Sequence, residues 1–310
     1  MTSTAPDPST ATIDPGTEVG LLALTVADLE RSLVFYTAAI GLAVLERSDG
    51  AATLGVAGRP ILLLREQPGA EPWPRGARSY TGLCHFAILL PTRADLGRWL
   101  RNWLELGFPL PGQGDHLVSE ALYLEDPDGH GIEMYRDRPR EEWQWSDGQV
   151  QMATLPVDIR GLLRDAEEAG RPWSGLPEGT RLGHMHLQVR DIRQSADFYH
   201  GVLGFDIVAH MPSALFVSAG GYHHHIGMNV WHSRGAGPAP EEFVRLRYFT
   251  VDLPSRDALQ AVVARIDAAG IAYRQAGDRV VVQDPSGNTL VLQSGHALRV
   301  ADAAAIEGSV

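Results

Sequence analysis

The chain repeats itself at a fixed offset, and this constrains its fold more than any other feature. The stretch LLALTVADLERSLVFYTAAIGL (21–42) is echoed by HMHLQVRDIRQSADFYHGVLGF (184–205). Asp28 matches Asp191, Phe35-Tyr36 matches Phe198-Tyr199 and Gly41 matches Gly204, all at one spacing (191 − 28 = 198 − 35 = 204 − 41 = 163). HFAILLPTRADLGRWL (85–100) and YFTVDLPSRDALQAVV (248–263) keep that spacing (248 − 85 = 163). The turns Asp126-Pro127-Asp128-Gly129 and Asp284-Pro285-Ser286-Gly287 follow at 284 − 126 = 158. Self-similarity over such lengths marks two homologous halves.

Each half is itself double. A short apolar strand leads into a segment with apolar residues at helical spacing, which stops at a glycine suited to a left-handed cap: Gly41, Gly107, Gly204 or Gly270. Short strands separated by Gly/Pro turns come next. The strand starts within each half share a spacing (85 − 21 = 248 − 184 = 64). The expectation is an α+β fold of four βαβββ modules in two homologous domains that form cup-shaped mixed sheets. Residues 18–138 carry modules one and two, and 181–295 carry modules three and four. Residues 139–180 read as a linker with a helix over 157–170. Residues 1–17, rich in Ser, Thr and Pro, read as a flexible tail, and 296–310 as a loose C-terminal tail.

Composition narrows the function classes. A net charge of −12 disfavours both a nucleic-acid footprint and adhesion to an anionic membrane. No apolar run is long enough to cross a bilayer, and no secretory signal pattern precedes Arg31, the first basic residue. The expected setting is the cytoplasm. The single cysteine, Cys84, rules out an internal disulfide and agrees with a reducing compartment. All 26 basic residues are arginines, so Schiff-base chemistry and a Walker-type phosphate loop are excluded.

The doubled βαβββ unit resembles the vicinal-oxygen-chelate superfamily of glyoxalases, bleomycin-resistance proteins and extradiol dioxygenases. The wording GYHHHIGMNVW and SEALYLEDPDGHGIEMYRDRP is similar to its four-module catechol 2,3-dioxygenase branch. The resemblance implies paired modules curled into a cup whose first and last strands hold a metal. It places the first-strand ligand position at Leu21, His85, His184 and Tyr248 in modules one to four. It places the last-strand carboxylate at Glu133 in module two (133 − 126 = 7) and at Val291 in module four (291 − 284 = 7). The module-three counterpart falls in the run His223, His224 and His225, and that of module one at Ile61, Leu62 and Leu63.

Leu21, Tyr248 and Val291 cannot make a metal site. His85, Glu133 and His184 can, because two imidazoles and one carboxylate form the facial triad that suits non-haem Fe(II), with Mn(II) or another divalent metal as an alternative. Their distribution implies that modules two and three share the working cup across the halves. The resemblance also implies roles for His116 and Tyr123 in orienting oxygen or substrate (133 − 123 = 10) and for one residue of the histidine run as acid–base. His224 is the choice for that role, with His223 and His225 flanking the substrate. Strand alternation sets His223 and His225 on one face and His224 on the other, and either face can be the inner one.

The expected function is an Fe(II)-dependent extradiol dioxygenase that opens a catechol-like ring with O2 in aromatic catabolism. Its partners are a small aromatic substrate and O2, without nucleic acid or membrane, and homo-oligomerisation is compatible with the chain. The rivals are a glyoxalase-like metal-dependent isomerase or lyase with a histidine of the run as fourth ligand, and a metal-free resistance protein that sequesters a small molecule.

Overall fold

The four helix starts are set by short polar side chains. Asp28, Thr92, Asp191 and Ser255 each accept a hydrogen bond from the backbone N–H three residues on, satisfying an amide that the first turn leaves free. Gly41, Gly107, Gly204 and Gly270 all take positive φ where the helical segments end. The computed structural model describes residues 12–74, 80–295, 300–308 and 310. The expected tails therefore lie outside the described residues at 1–11, 296–299 and 309.

Module one comprises β1 (Glu18–Val26), α1 (Leu29–Val34) continued by a wider π turn (Phe35–Ile40), β2 (Ala43–Ser48), β3 (Ala51–Val56) and β4 (Arg59–Glu66). Module two comprises β5 (Gly82–Leu89), α2 (Arg93–Glu105), β6 (Gly112–Asp115), β7 (Ser119–Glu125) and β8 (Gly131–Asp137). The connection carries a small hairpin, β9 (Trp145–Ser146) and β10 (Gln149–Val150), then α3 (Ile159–Glu168). Module three comprises β11 (Arg181–Gln188), α4 (Ile192–Ala196) with its own π turn (Asp197–Val202), β12 (Asp206–Met211), β13 (Ala214–Ser218) and β14 (Ile226–Asn229). Module four comprises β15 (Leu246–Leu253), α5 (Arg256–Ala268), β16 (Tyr273–Ala276), β17 (Arg279–Gln283) and β18 (Thr289–Ser294). Helix α6 (Val300–Glu307) follows.

The strands form two eight-stranded mixed sheets that cross the sequence halves. One runs β16-β17-β18-β15-β1-β4-β3-β2 and joins modules four and one; the other runs β12-β13-β14-β11-β5-β8-β7-β6 and joins modules three and two. β1 pairs antiparallel with β15, and β5 with β11. Within each sequence half a different bond operates, and it accounts for two of the repeated motifs. Tyr36 Oη donates to Asp126 Oδ2 at 2.9 Å, and Tyr199 Oη donates to Asp284 Oδ2 at 3.0 Å. The Phe-Tyr helix motif of one module thus locks onto the Asp-Pro turn of the next.

Strand alternation divides the apolar residues. Leu22, Leu24 and Val26 of β1 join Phe86 and Ile88 of β5 in the main core, with Trp99 and Leu100 of α2. Leu21 and Ala23 point the other way, into the concave face of their own sheet. There Leu63, Tyr248 and Val291 meet Ala303 and Ile306 of α6. The helix is held at its rim by Arg247–Glu307 (2.8 Å) and Arg279–Asp302 (3.5 Å). The cup without ligands is therefore plugged by the chain's own C-terminal helix, and the reading of 296–310 as a loose tail is corrected for residues 300–307. The N-terminal tail is corrected at 12–17: Ile13 and Thr17 are buried, and the Ile13 N–H donates to Gly204 O at 2.7 Å.

Candidate metal centre

The second sheet brings together the residues that the repeat singled out. His184 lies opposite Ala87, and Ala87 lies opposite Glu133, so the three form one row across β11, β5 and β8. The methyl group of Ala87 leaves the space between the two polar side chains open. His85 sits two residues along β5 and faces the same cup. Each histidine is preceded by a break in the β5–β11 register, at Cys84 and at Gly183, and such bulges re-aim the next side chain. Gly183 has no alternative, since a Cβ there would stand 1.8 Å from Tyr135 Oη.

Glu133 Oε2 lies 3.0 Å from His85 Nε2 and 3.1 Å from His184 Nε2. One donor atom from each of the three lies within 4.8 Å of the others, and His224 does not join that group. His85 Nε2 is buried without a well-aimed hydrogen-bond partner, although the carboxylate is at contact distance. An imidazole nitrogen that is buried and points past its neighbour fits a donor converging on an ion. The three side chains can hold a divalent metal on one face and leave its other positions to exogenous ligands.

The electrostatics support an ionised carboxylate. Burial, the largest influence on Glu133, would raise its pKa, yet the His184 and His85 imidazoles hold it well below the usual carboxylate range. Burial likewise dominates at His85, where it opposes protonation, but hydrogen bonding to Cys84 and Glu133 pushes the pKa up to about 10. At His184 burial prevails over the carboxylate and lowers the pKa.

Beside His85 and Glu133 the cup opens into a cavity of about 640 Å³, and His184, buried, lies behind its wall. His116 and Tyr123 form one wall: His116 Nε2 is 2.7 Å from Tyr123 Oη, and His116 Nδ1 is 2.7 Å from Ala153 O. The carbonyl can only accept, so Nδ1 carries the proton and Nε2 accepts from the phenol. Burial, reinforced by the charge on Glu133, raises the Tyr123 pKa well above its ordinary value and keeps the phenol protonated.

The histidine run precedes β14 rather than lying in it, after a turn with positive φ at Gly220 and Gly221. His224 lines the cup. His223 is fully buried behind it and binds Asp137, and His225 Nδ1 accepts the Ala219 N–H at 3.1 Å. Neither lines the cavity, so the expected substrate contacts of His223 and His225 are corrected. The run is also not the counterpart of Glu133. Glu133 faces Ala87, two residues after His85; the residue facing His186, two after His184, is Gly227. The position from which a fourth protein ligand would project carries no side chain.

A model of the Glyoxalase/Bleomycin resistance protein/Dioxygenase superfamily matches residues 18–134 and 181–292. The chain belongs to this superfamily. A catechol-2,3-dioxygenase of Bacillus subtilis (strain 168) is 48% identical over 277 residues, which span 88% of this chain and 95% of that protein. Two crystal structures share the superfamily fold. A provisionally named dioxygenase from Bacillus subtilis has a TM-score of 0.61 at 13% identity, over 92% of this chain and 86% of that one. A glyoxalase I mutant from Zea mays has a TM-score of 0.52 at 18% identity, over 89% and 92%.

For this superfamily member, three parts of the cup escaped sequence reasoning. His186 lines it beside His85, with ring centroids 4.8 Å apart. The signal was present, since alternation puts His186 of the HMH triplet on the face of His184. Asp137 lies on β8, four residues past Glu133, and reaches the cup only through His223. Met152, Ala153 and Thr154 of the connecting segment wall the cup, so what read as a linker is part of the site. Among the described residues no helix is long and apolar enough to cross a membrane.

Proposed function

We propose that this protein is a non-haem Fe(II) extradiol dioxygenase that opens a catechol-like ring with O2, the iron being held by His85, His184 and Glu133. The observation that carries this reading is the three-residue donor set with Gly227 at the fourth position. His85, His184 and Glu133 would hold the ion, and with no fourth side chain converging on them among the described residues, the ion would be left to bind a catechol and O2. The 48% identity to a catechol-2,3-dioxygenase over nearly the whole of both chains supports it.

The iron would supply a site that binds and activates catecholate and O2 side by side. The chain supplies the proton handling. Burial, then the neighbouring His184 and His223, hold the His224 pKa well below the ordinary imidazole value. His224 is therefore held toward its neutral form and, from the cup wall, would take a proton at Nε2 from a substrate hydroxyl made more acidic by the metal. Tyr123 stays protonated and donates to His116 Nε2, which leaves its phenol oxygen as an acceptor on the cup wall. Val118, Phe216 and Met152 would give the ring apolar surface to pack on. A glyoxalase-like site that needs a fourth side-chain ligand would have to draw on His224, which stands outside the converging group.

The test is oxygen consumption by Fe(II)-loaded protein with catechol, followed together with the absorbance of the ring-opened product. One O2 consumed per ring opened supports the reading. Binding of catechol without oxygen uptake in fully iron-loaded protein rejects it.

A further inference from the structure

We infer that the cup selects catechols carrying an uncharged, apolar substituent over those carrying a carboxylate; this rests on the dioxygenase reading and names its substrate class. The cavity of about 640 Å³ is roughly four times the ~150 Å³ that suffices to enclose a benzene ring. A bare catechol therefore leaves most of it unfilled. The character of the remaining space is what decides the substituent.

Apolar surface predominates in the cavity lining, and Ser119, Thr154 and His186 add only uncharged polar groups to it beyond His85, Glu133 and their neighbours. From His85 the wall passes to His186, with ring centroids 4.8 Å apart, and from His186 to Phe216 and Trp231 at 5.7 and 5.6 Å. Val118, Met152 and Met211 add further apolar lining. Trp231 and Met211 are 55% and 45% exposed, so they form an apolar rim at the mouth. Isolated exposed apolar residues need no explanation, but two of them continuing the wall of a cavity extend its apolar surface.

No arginine lines the cavity among the described residues, and the chain has no lysine. Among the described residues Glu133 is the single lining residue of the Asp, Glu, Arg and Lys types. With an iron on the triad taken up by the two catechol oxygens, a carboxylate elsewhere on the ring would give up hydration with no cationic side chain among the described lining residues to meet it. An alkyl or aryl group gains instead, because each buried methylene favours binding by about fourfold.

The experiment compares catechol, 4-ethylcatechol, 3-phenylcatechol and 3,4-dihydroxybenzoate by anaerobic equilibrium binding, read through tryptophan fluorescence, and by kcat/KM under oxygen. Tighter binding of the ethyl or phenyl compound than of the carboxylated one, by at least about tenfold, is the expected result. Met211→Arg places a cation on the rim at an exposed position, and it should improve the binding of 3,4-dihydroxybenzoate. Equal or tighter binding of 3,4-dihydroxybenzoate by the unaltered protein would overturn the inference while leaving ring cleavage intact. The expected binding order without turnover of any catechol would instead remove the dioxygenase reading and leave the selectivity standing.

Discussion

His223 Nδ1 lies 2.9 Å from His224 Nδ1, and His223 Nε2 lies 2.8 Å from Asp137 Oδ1. A carboxylate only accepts, so His223 keeps its proton on Nε2 and its Nδ1 is the acceptor. His224 must then donate through Nδ1, which leaves its Nε2 lone pair for the cup. Asp137, which does not line the cavity, sets the tautomer of His224 through a buried histidine. Tyr222, which donates to Asp137 Oδ2 at 2.9 Å, holds the carboxylate in place.

This relay predicts graded losses. His224→Phe removes the proposed acid–base residue and should slow ring opening by about a hundredfold to ten-thousandfold. Asp137→Asn can present a donor where His223 needs an acceptor; it should lower kcat by a smaller factor and change the pH profile of kcat, with KM little altered. Both variants should retain metal, as measured by elemental analysis. Wild-type turnover in His224→Phe would remove it as acid–base, and metal loss would make it a ligand.

Removing a donor of the triad has a different signature. Glu133→Ala deletes the carboxylate of the proposed metal site and leaves two imidazoles, and His184→Ala leaves one imidazole beside the carboxylate. Each should lose most bound divalent metal on dialysis, with turnover falling in proportion, while the fold persists by circular dichroism. Wild-type metal content in both variants would show that the ion binds elsewhere.

Protons and metal compete for His85, and the sign follows from its pKa. In the metal-free cup this pKa is pushed up to about 10, as hydrogen bonding to Cys84 and Glu133 outweighs burial, the largest single influence. Below that pH an incoming ion must displace about one proton, so apparent affinity should rise with pH by about tenfold per unit from pH 7 to 9. It should level off once His85 is deprotonated. Calorimetry in buffers of different protonation enthalpy reads the released proton directly, and a flat affinity with no release would contradict this.

Much of the fold was legible because the repeated residues do repeated work. Asp28 and Asp191 cap equivalent helices, and Tyr36 and Tyr199 bind the aspartates of equivalent turns. The cross-half sheet followed from where ligand-type residues occur and where Leu21, Tyr248 and Val291 replace them. The histidine run was misplaced against Glu133 because matching sequence positions takes no account of register. The turn at Gly220 and Gly221 shifts the chain, so that Gly227 occupies the row. His223 and His225 resemble ligands by composition, and only their burial behind the cup wall reveals supporting roles. Helix α6 was illegible because VADAAAIE has no long amphipathic pattern and finds its partners only in a cup assembled from distant strands.

That helix yields a prediction which separates stability from chemistry. Ile306 is fully buried and sits in the cluster with Leu21, Leu63, Tyr248 and Val291. Truncating such a side chain costs about 2–5 kcal/mol when its surroundings cannot collapse. For Ile306→Ala the cost is capped by the docking energy of α6, because a short helix can detach before the sheet unfolds. The expected result is a fall in Tm of about 3–8 °C, together with faster proteolysis at the C-terminal end. The working cup lies on the other sheet, so metal content and kcat per folded molecule should stay at the unaltered level. A further variant, Ile306→Asp, drives the same detachment by placing a charge against the apolar floor. Unchanged Tm and proteolysis in both variants would show that α6 does not plug the cup in solution, whereas loss of metal would show that the two cups are coupled through the β1–β11 side of the core.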